Sequence, residues 1–414
     1  AIGKNKKLEI IHDKNRFPNS LGLIYAAITS YLGWRYACDE GIIMGLASYG
    51  KPHNKIPKKN KTYIQVFRKI ISFENNLDLK INTDWITFHK ERDTWLSEKF
   101  IKTFGKKRIY ENKLTQHHKN IAAALQLRLE EVILSQLKYL KNKFKFKNLC
   151  LSGGVGLNCS MNGKIAKSKI FDNIFVQPAS GDAGLSVGAA INCSLEVEPK
   201  RKLIFETNCY LGSRYSNQLI KKAIIKYKDK VQIIENKNYF DFASDVLIKK
   251  KIIGWFQGAA EFGPRALGNR SILAAPNPSK IRDIINKKVK FRESFRPFAP
   301  AILEEYCSKY FDINQTSEHM LIACNVKPRM KKNITATVHV DNTCRVQTVT
   351  SKSNQKFYSL LQSMYKKTKI PVLLNTSFNI KGQPIVNSPN DALLCFLKYK
   401  IDFLFIGEYI LKKK

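Results

Sequence analysis

Acidic residues are scarce in this 414-residue sequence, where 33 Asp and Glu stand against 71 Lys and Arg for a formal net charge of +38. Such an excess raises the possibility of a nucleic-acid partner, because clustered cations give sequence-independent phosphate affinity. The lysines, however, are spread along the whole chain together with abundant Ile and Asn, a composition that fits AT-rich coding. No helix-turn-helix, zinc-finger or RNP-type pattern occurs, so nucleic acid is not the expected partner. The nine cysteines are odd in number and form no CxxC pair, which excludes a zinc ribbon and a disulfide framework; they are expected as small, reduced, buried hydrophobes. No apolar run approaches the roughly 20 residues of a membrane span, and the opening AIGKNKKLEI has no apolar leader core. A soluble, cytoplasmic protein is expected. Hydrolase-type spacing of Ser, His and Asp or of Cys and His is missing as well, so covalent catalysis is not indicated.

With 44% hydrophobic residues, the chain is long enough for two or three cores. Residues 19–50 combine helical apolar spacing with a Gly-rich exit. The stretch from Lys51 to Asn112 is polar and irregular in period, and is expected as a surface excursion. From His118, HKNIAAALQLRLEEVILSQLKYLKNK carries a helical repeat and predicts one long amphipathic helix. The adjacent His117 and His118 are expected at its exposed start rather than in a metal site. NLCLS and NIFVQP then read as strands, each followed by a glycine turn, and the small residues after Gly184 suit a tightly packed helix. The pattern loosens at about 195–210, placing one domain at 1–200 and a second at 203–414. Strands of the second are expected at KIIGWF, IPVLLNT and DFLFIG.

Three segments carry candidate chemistry. SGGVGLN at 152–158 and SGDAG at 180–184 are turns whose backbone N–H groups can cradle phosphate. Within them Asp182 is either a metal ligand or a helix cap, and Asn158 either contacts a ligand or caps its own turn. In the densest segment, residues 254–300, Arg265, Arg270, Lys290, Arg292 and Arg296 are interleaved with Gly, Pro and aromatics. Arginine forks bind phosphate through two parallel bonds, so these cations suggest a cleft; Glu261 and Glu293 are alternative partners, and at least one of the five is expected to be structural. In HVDNTCRVQTV at 339–349, His339, Asp341, Thr343, Arg345 and Gln347 share one strand face unless a turn at Asp341–Thr343 breaks it. The NTSFN turn adds Asn375, Ser377 and Asn379, each able to serve a ligand or its own turn.

These segments resemble the carbamoyltransferases of the nodulation-factor, cephamycin and tobramycin type. FPNSLGLIYAAITSYLGW, LSGGVGLNCSMNGKI, QPASGDAGLSVGAA, FGPRALGNRSILAAP, VKFRESFRPFAPAIL, HVDNTCRVQTV and LLNTSFNIKGQPIV match in order from Phe17 to Val386. The resemblance implies an α/β protein: a partial actin-like (ASKHA) domain that transfers a carbamoyl group, then a YrdC-like domain that forms carbamoyl-adenylate from carbamoyl phosphate and ATP. It implies a hydroxyl acceptor of sugar-like or secondary-metabolite type and a divalent metal, iron(II) or magnesium. Carried over position by position, Lys290, Arg296, Arg345 and Ser377 would hold carbamoyl phosphate, with Arg265, Arg270, Asn375 and His339 nearby. Gly153, Gly154, Asn158 and Gly181 would face the adenylate, and Asp182 would bind the metal. The family pattern opens with a further segment bearing HD and histidine-rich motifs, upstream of the first residue here. A separate N-terminal segment or subunit is therefore expected to complete the transfer domain. VDNTCR and LASYG depart from the family's usual VDGT and LAPYG. The alternatives are a component of tRNA threonylcarbamoyl-type modification and a non-catalytic fragment.

Overall fold

The computed structural model describes residues 1–4, 7–74, 76–202, 208–235 and 238–414. They divide into two compact units: residues 1–149 with 164–174, and residues 150–163 with 175–414. The expected start of the second domain, Leu203, lies outside the described residues.

In the first unit the long helix predicted from His118 runs Gln116–Phe144. It buries Ile121, Leu125, Leu129 and Val132 against the helices Glu40–Ala47 and Tyr63–Ile70. Thr115 caps its start together with His118, whose Nδ1 accepts the Thr115 backbone N–H at 3.1 Å. The pair His117 and His118 thus sits at a helix start as expected, but neither is exposed. His117 Nδ1 meets the Tyr63 hydroxyl at 2.5 Å and its Nε2 meets the Phe104 carbonyl at 2.6 Å. Burial and the neighbouring His117 depress the His118 pKa to about 4.

The expected surface excursion at 51–112 is instead part of the core. Ile56, Tyr63, Ile64, Phe67, Trp85, Phe100 and Phe104 are all buried, and Ile71–Glu74 pairs antiparallel with Asp78–Ile81. The buried residues Tyr63, Ile64, Phe67 and Ile70 follow helical spacing, which the surrounding lysines obscure in the sequence. Arg108 is buried too. Its guanidinium donates to the carbonyls of Leu32, Ile109, Tyr110 and Asn112, and lies 4.5 Å from the Trp34 ring centre.

The second unit is built on an eight-stranded mixed sheet in the order Gln347–Val349, Ala299–Leu303, Val372–Ser377, Arg270–Ala274, Ile253–Phe256, Phe403–Ile406, Tyr409–Lys413, Val231–Ile233. The strands expected at KIIGWF, IPVLLNT and DFLFIG are its central members. Their uninterrupted apolar runs arise because both faces are covered and alternate residues enter different cores. Ile253, Trp255, Leu273, Leu373 and Phe405 pack under the helices Tyr239–Ile248 and Gln355–Thr368. Phe256, Ile272, Leu374, Leu404 and Ile406 pack under Asn217–Ile225, Lys280–Ile285 and Pro389–Lys398. The α/β class is therefore as expected.

NLCL at Asn148–Leu151 and NIFV at Asn173–Val176 form the two expected strands. The helix after Gly184, Leu185–Val197, differs from expectation because none of its residues is buried. All nine cysteines are free, but Cys38, Cys150 and Cys193 are exposed, so the buried expectation holds for the other six. No described helix is long and apolar enough to cross a membrane.

Candidate anion-binding site

Four segments of the second unit bring cations together. A helical turn at Lys280–Ile285 widens into a π-helical turn at Asn286–Lys290 and ends at Phe291, whose φ of 48° is left-handed. Such a local widening is rare and occurs often at functional sites. It delivers Lys290 inward and starts the loop carrying Arg292 and Arg296. Arg345 ends the short strand Thr343–Arg345, where it faces Ala323 across an antiparallel pair. Arg265 lies in the glycine-flanked loop before strand Arg270–Ala274, and Gly263 (φ 118°) approaches the Pro178 carbonyl too closely for a Cβ.

Lys290 is buried, and its Nζ is surrounded by neutral oxygens: Ser377 O at 2.5 Å, Asn379 Oδ1 at 2.7 Å, Asn379 O at 2.9 Å and Ser377 Oγ at 3.1 Å. Burial, and then Arg292, push its pKa well down. Burial and the neighbouring Arg296 and Arg345 depress Arg292, while burial and Arg345 bring Arg265 down to about 9. Lys290 is repelled by Arg292 and Arg296, Arg292 by Arg296 and Arg345, and Arg265 by Arg345 and Arg296, so positive charge accumulates here. Glu293 lies within ion-pair distance of the cluster, 3.7 Å from Arg296. Nε of Arg265 and Nε of Arg345 are buried and have no hydrogen-bond partner among the described residues. Donors of this kind, in mainly cationic surroundings, suit a phosphate-sized anion.

The predicted site residues separate on this geometry. Lys290, Arg296, Arg345, Ser377 and Arg265 share the cluster or touch a member of it, and Arg292 joins them. Arg270 does not present a free fork. It is wholly buried, donates to the carbonyls of Gln257 (2.6 Å), Ser213 (3.0 Å), Asn269 (3.2 Å) and Gly258 (3.3 Å), and stacks 3.7 Å from the Phe256 ring centre. Glu261 does not pair with any arginine fork either, since its Oε1 accepts the backbone N–H groups of Leu267, Asn269 and Arg270. Asn375 is buried one step away, donating to Gln347 Oε1 and the Ala266 carbonyl.

At His339 the turn foreseen at Asp341–Thr343 does form. Asn342 is left-handed (φ 63°), His339 N–H reaches the Thr343 carbonyl at 2.9 Å, and His339 Nδ1 lies 3.6 Å from Asp341. Arg345 and Gln347 then belong to different sheets, so the five-residue polar face is broken.

Around the glycine turn, Gly153 adopts φ 88°, and neither it nor Gly154 has any atom near where a Cβ would stand. Asn158 caps the next helix, its Oδ1 accepting the Met161 N–H at 3.0 Å. The buried Asn162, absent from the predicted residues, donates to the carbonyls of Gly156 (2.7 Å) and Leu321 (2.8 Å). A Cβ on Gly163 would stand 2.0 Å from the Ala323 carbonyl, and Ala323 faces Arg345. The glycine turn and the cation cluster are thereby joined within this unit. Asp182 is exposed and opens a single 3-10 turn beside Gly181. Among the described residues, no three His, Cys, Asp or Glu side chains are grouped as a metal set. No step is assigned to a metal here.

The family model described as carbamoyltransferase N-terminus matches residues 2–191, and that described as carbamoyltransferase C-terminus matches residues 244–413. An uncharacterized protein of Synechocystis is 35% identical over 97% of this chain and 68% of its own length. Nodulation protein NolO of Bradyrhizobium diazoefficiens is 36% identical over 96% of this chain and 69% of its own length. Nodulation protein NolNO of Sinorhizobium fredii is 37% identical over 96% and 56%. With these matches spanning nearly its whole length, the chain belongs to the carbamoyltransferase family.

Proposed function

We propose that this carbamoyltransferase activates carbamoyl phosphate with ATP and passes the carbamoyl group to a hydroxyl of a sugar-like or secondary-metabolite acceptor. The observation that carries the proposal is the cluster of Lys290, Arg292, Arg296, Arg345 and Arg265, in which the buried Nε groups of Arg265 and Arg345 have no partner among the described residues. Carbamoyl phosphate is small and its phosphate is dianionic, so guanidinium forks can neutralise it while Ser377 and Asn379 offer neutral groups to the carbamoyl end. Attack of water on the phosphorus of carbamoyl phosphate releases inorganic phosphate and leaves carbamate, whose oxygen attacks the ATP α-phosphorus and displaces pyrophosphate. The resulting carbamoyl-adenylate is open to attack by the acceptor hydroxyl, with AMP as leaving group. Positioned cations stabilise the charge that develops on the transferring oxygens, which is the main catalytic resource a site of this kind has.

The open turn at Gly153 and Gly154, with Gly181 nearby in sequence to Asp182, suits the adenylate phosphate through backbone N–H donation. We assign the finer architecture in the same way: the first 200 residues to an actin-like transfer domain and residues 203–414 to a YrdC-like activating domain. The test is carbamoyl phosphate-dependent exchange of labelled pyrophosphate into ATP by the purified chain. Exchange that disappears in Arg296→Ala supports the reading. Exchange by wild type that survives in Arg296→Ala and in Arg345→Ala removes the cluster from the reaction.

A further inference from the structure

Arg292 and Arg296 lie on a loop, and a loop does not hold two mutually repelling guanidinium groups in place without an anchor. Asn286 supplies one. It is 1% exposed and sits at the first position of the π-helical turn, four residues before Lys290. Its Oδ1 accepts from Arg292 Nε at 2.7 Å, and its Nδ2 donates to the carbonyls of Arg296 at 3.1 Å and Ser294 at 3.4 Å. Its own carbonyl accepts the backbone N–H groups of Phe291 and of Arg292, the latter at 3.1 Å. One buried side chain thus grips both ends of the segment from 292 to 296. Arg292 is held at a second point by the Pro297 carbonyl (3.3 Å) and rests 4.5 Å from the Phe298 ring centre. Its orientation is therefore set by protein contacts.

We infer that Asn286 is a positioning residue of the anion site, fixing the 291–296 loop so that Arg292 and Arg296 act on the same ligand as Lys290. The inference rests on the proposed anion-binding role of that cluster and adds the residue that organises it. Asn286 touches no ligand in this scheme. Its effect on the ligand passes through the Arg292 side chain, whose Nε it holds, and it must largely vanish when that contact is already lost. A residue that only stabilises the fold would lower thermal stability and affect all ligands alike.

The test is titration calorimetry of wild type, Asn286→Ala, Arg292→Ala and the double variant with inorganic phosphate and with carbamoyl phosphate. Thermal unfolding and the KM for ATP are measured alongside. Asn286→Ala is expected to weaken binding of both anions by roughly tenfold, about one charge-assisted hydrogen bond's effect on Kd, and to leave the KM for ATP unchanged. In the Arg292→Ala background the same substitution is expected to change Kd by less than about threefold, the signature of coupled residues. Arg292→Lys keeps the charge but loses the Nε contact, and is expected to reproduce the tenfold loss even if Asn286→Ala fails to fold. Full-strength anion binding by Arg292→Lys and a folded Asn286→Ala would overturn the positioning role and leave the site standing. Additive losses in the double variant would overturn it as well. A folded wild type that binds neither anion would overturn the site and the positioning role together.

Discussion

Arg270 and Arg296 are both arginines of one glycine- and proline-rich segment, yet they should respond to truncation in opposite ways. Arg270→Ala strips partners from four carbonyl oxygens, two of them at 3.0 Å or less, and removes the cation stacked on Phe256. A buried acceptor left unsatisfied costs roughly 1–3 kcal/mol. Counting the two short contacts, Gln257 and Ser213, and allowing the longer ones to relax, the loss is about 4 kcal/mol. For a unit of this size that corresponds to a Tm lower by roughly 8–15 °C. Arg296→Ala removes a 3.7 Å ion pair whose arginine is 28% exposed, worth no more than about 1 kcal/mol, and also removes like-charge repulsion from the cluster. Its Tm should stay within about 2 °C of wild type. Phosphate binding should weaken by roughly 10- to 100-fold, as expected for losing a charge-assisted contact. Scanning calorimetry on both variants and phosphate titration on those still folded decide the matter. An Arg270→Ala protein that melts like wild type but no longer binds phosphate would refute the structural assignment of Arg270. An Arg296→Ala protein that binds normally would refute the assignment of Arg296 to the anion site.

Lys290→Ala should fail on both counts, with lower Tm and no pyrophosphate exchange, because Nζ holds the Ser377–Asn379 turn through four oxygens; a variant that loses exchange at unchanged Tm would show that the lysine serves the ligand alone. Gly163→Ala should destabilise the second unit by about 2 kcal/mol or more in denaturant unfolding, since its Cβ would stand 2.0 Å from the Ala323 carbonyl; unchanged stability would mean that this contact opens freely. His118 gives a pH signature. Its folded pKa of about 4 lies below the ordinary 6.5, so the unfolded chain takes up the proton first. The stability from this cap is complete above about pH 6.5 and falls away as pH drops towards 4, where protonated Nδ1 no longer accepts the Thr115 N–H. His118→Gln keeps an acceptor that does not titrate and should flatten that acid limb, whereas an identical pH profile would locate the acid sensitivity elsewhere.

The central strands of the second unit were legible because residues buried on both faces leave continuous apolar runs such as IIGWF and PVLLN, and the long helix because its repeat extends over many turns. Strand order was not legible. Gln347–Val349 runs parallel to Ala299–Leu303, while Val372–Ser377 runs antiparallel to it, and no local sequence feature encodes which long-range neighbour a strand takes. The stretch 51–112 misled for a different reason. Its lysines lie exposed in turns and short elements, and their number hides the few aromatics that make the core.

The site shows the same division at the scale of single residues. That arginines in a Gly- and Pro-rich segment mark a cleft was readable, but which of them face it depends on where the fold puts the neighbouring carbonyls. Arg270 opens a central strand whose flanking loops turn the carbonyls of Ser213, Gln257 and Gly258 inward, so its five donors are largely consumed by the backbone. Nε of Arg270 is unpaired like those of Arg265 and Arg345, but its two terminal nitrogens are taken by four carbonyls, whereas no described backbone carbonyl accepts from the Arg265 or Arg345 side chain, whose forks stay available for an anion. The shared strand face of His339 and Arg345 is broken by one backbone torsion at Asn342, a residue type that tolerates the left-handed region, and the broken alternation was the sequence trace of that turn. Asn286 left no trace, because an asparagine among lysines reads as surface until the π-helical turn shows that it faces inward. Sequence therefore identifies the charges a site can use, and backbone geometry decides which of them are already satisfied.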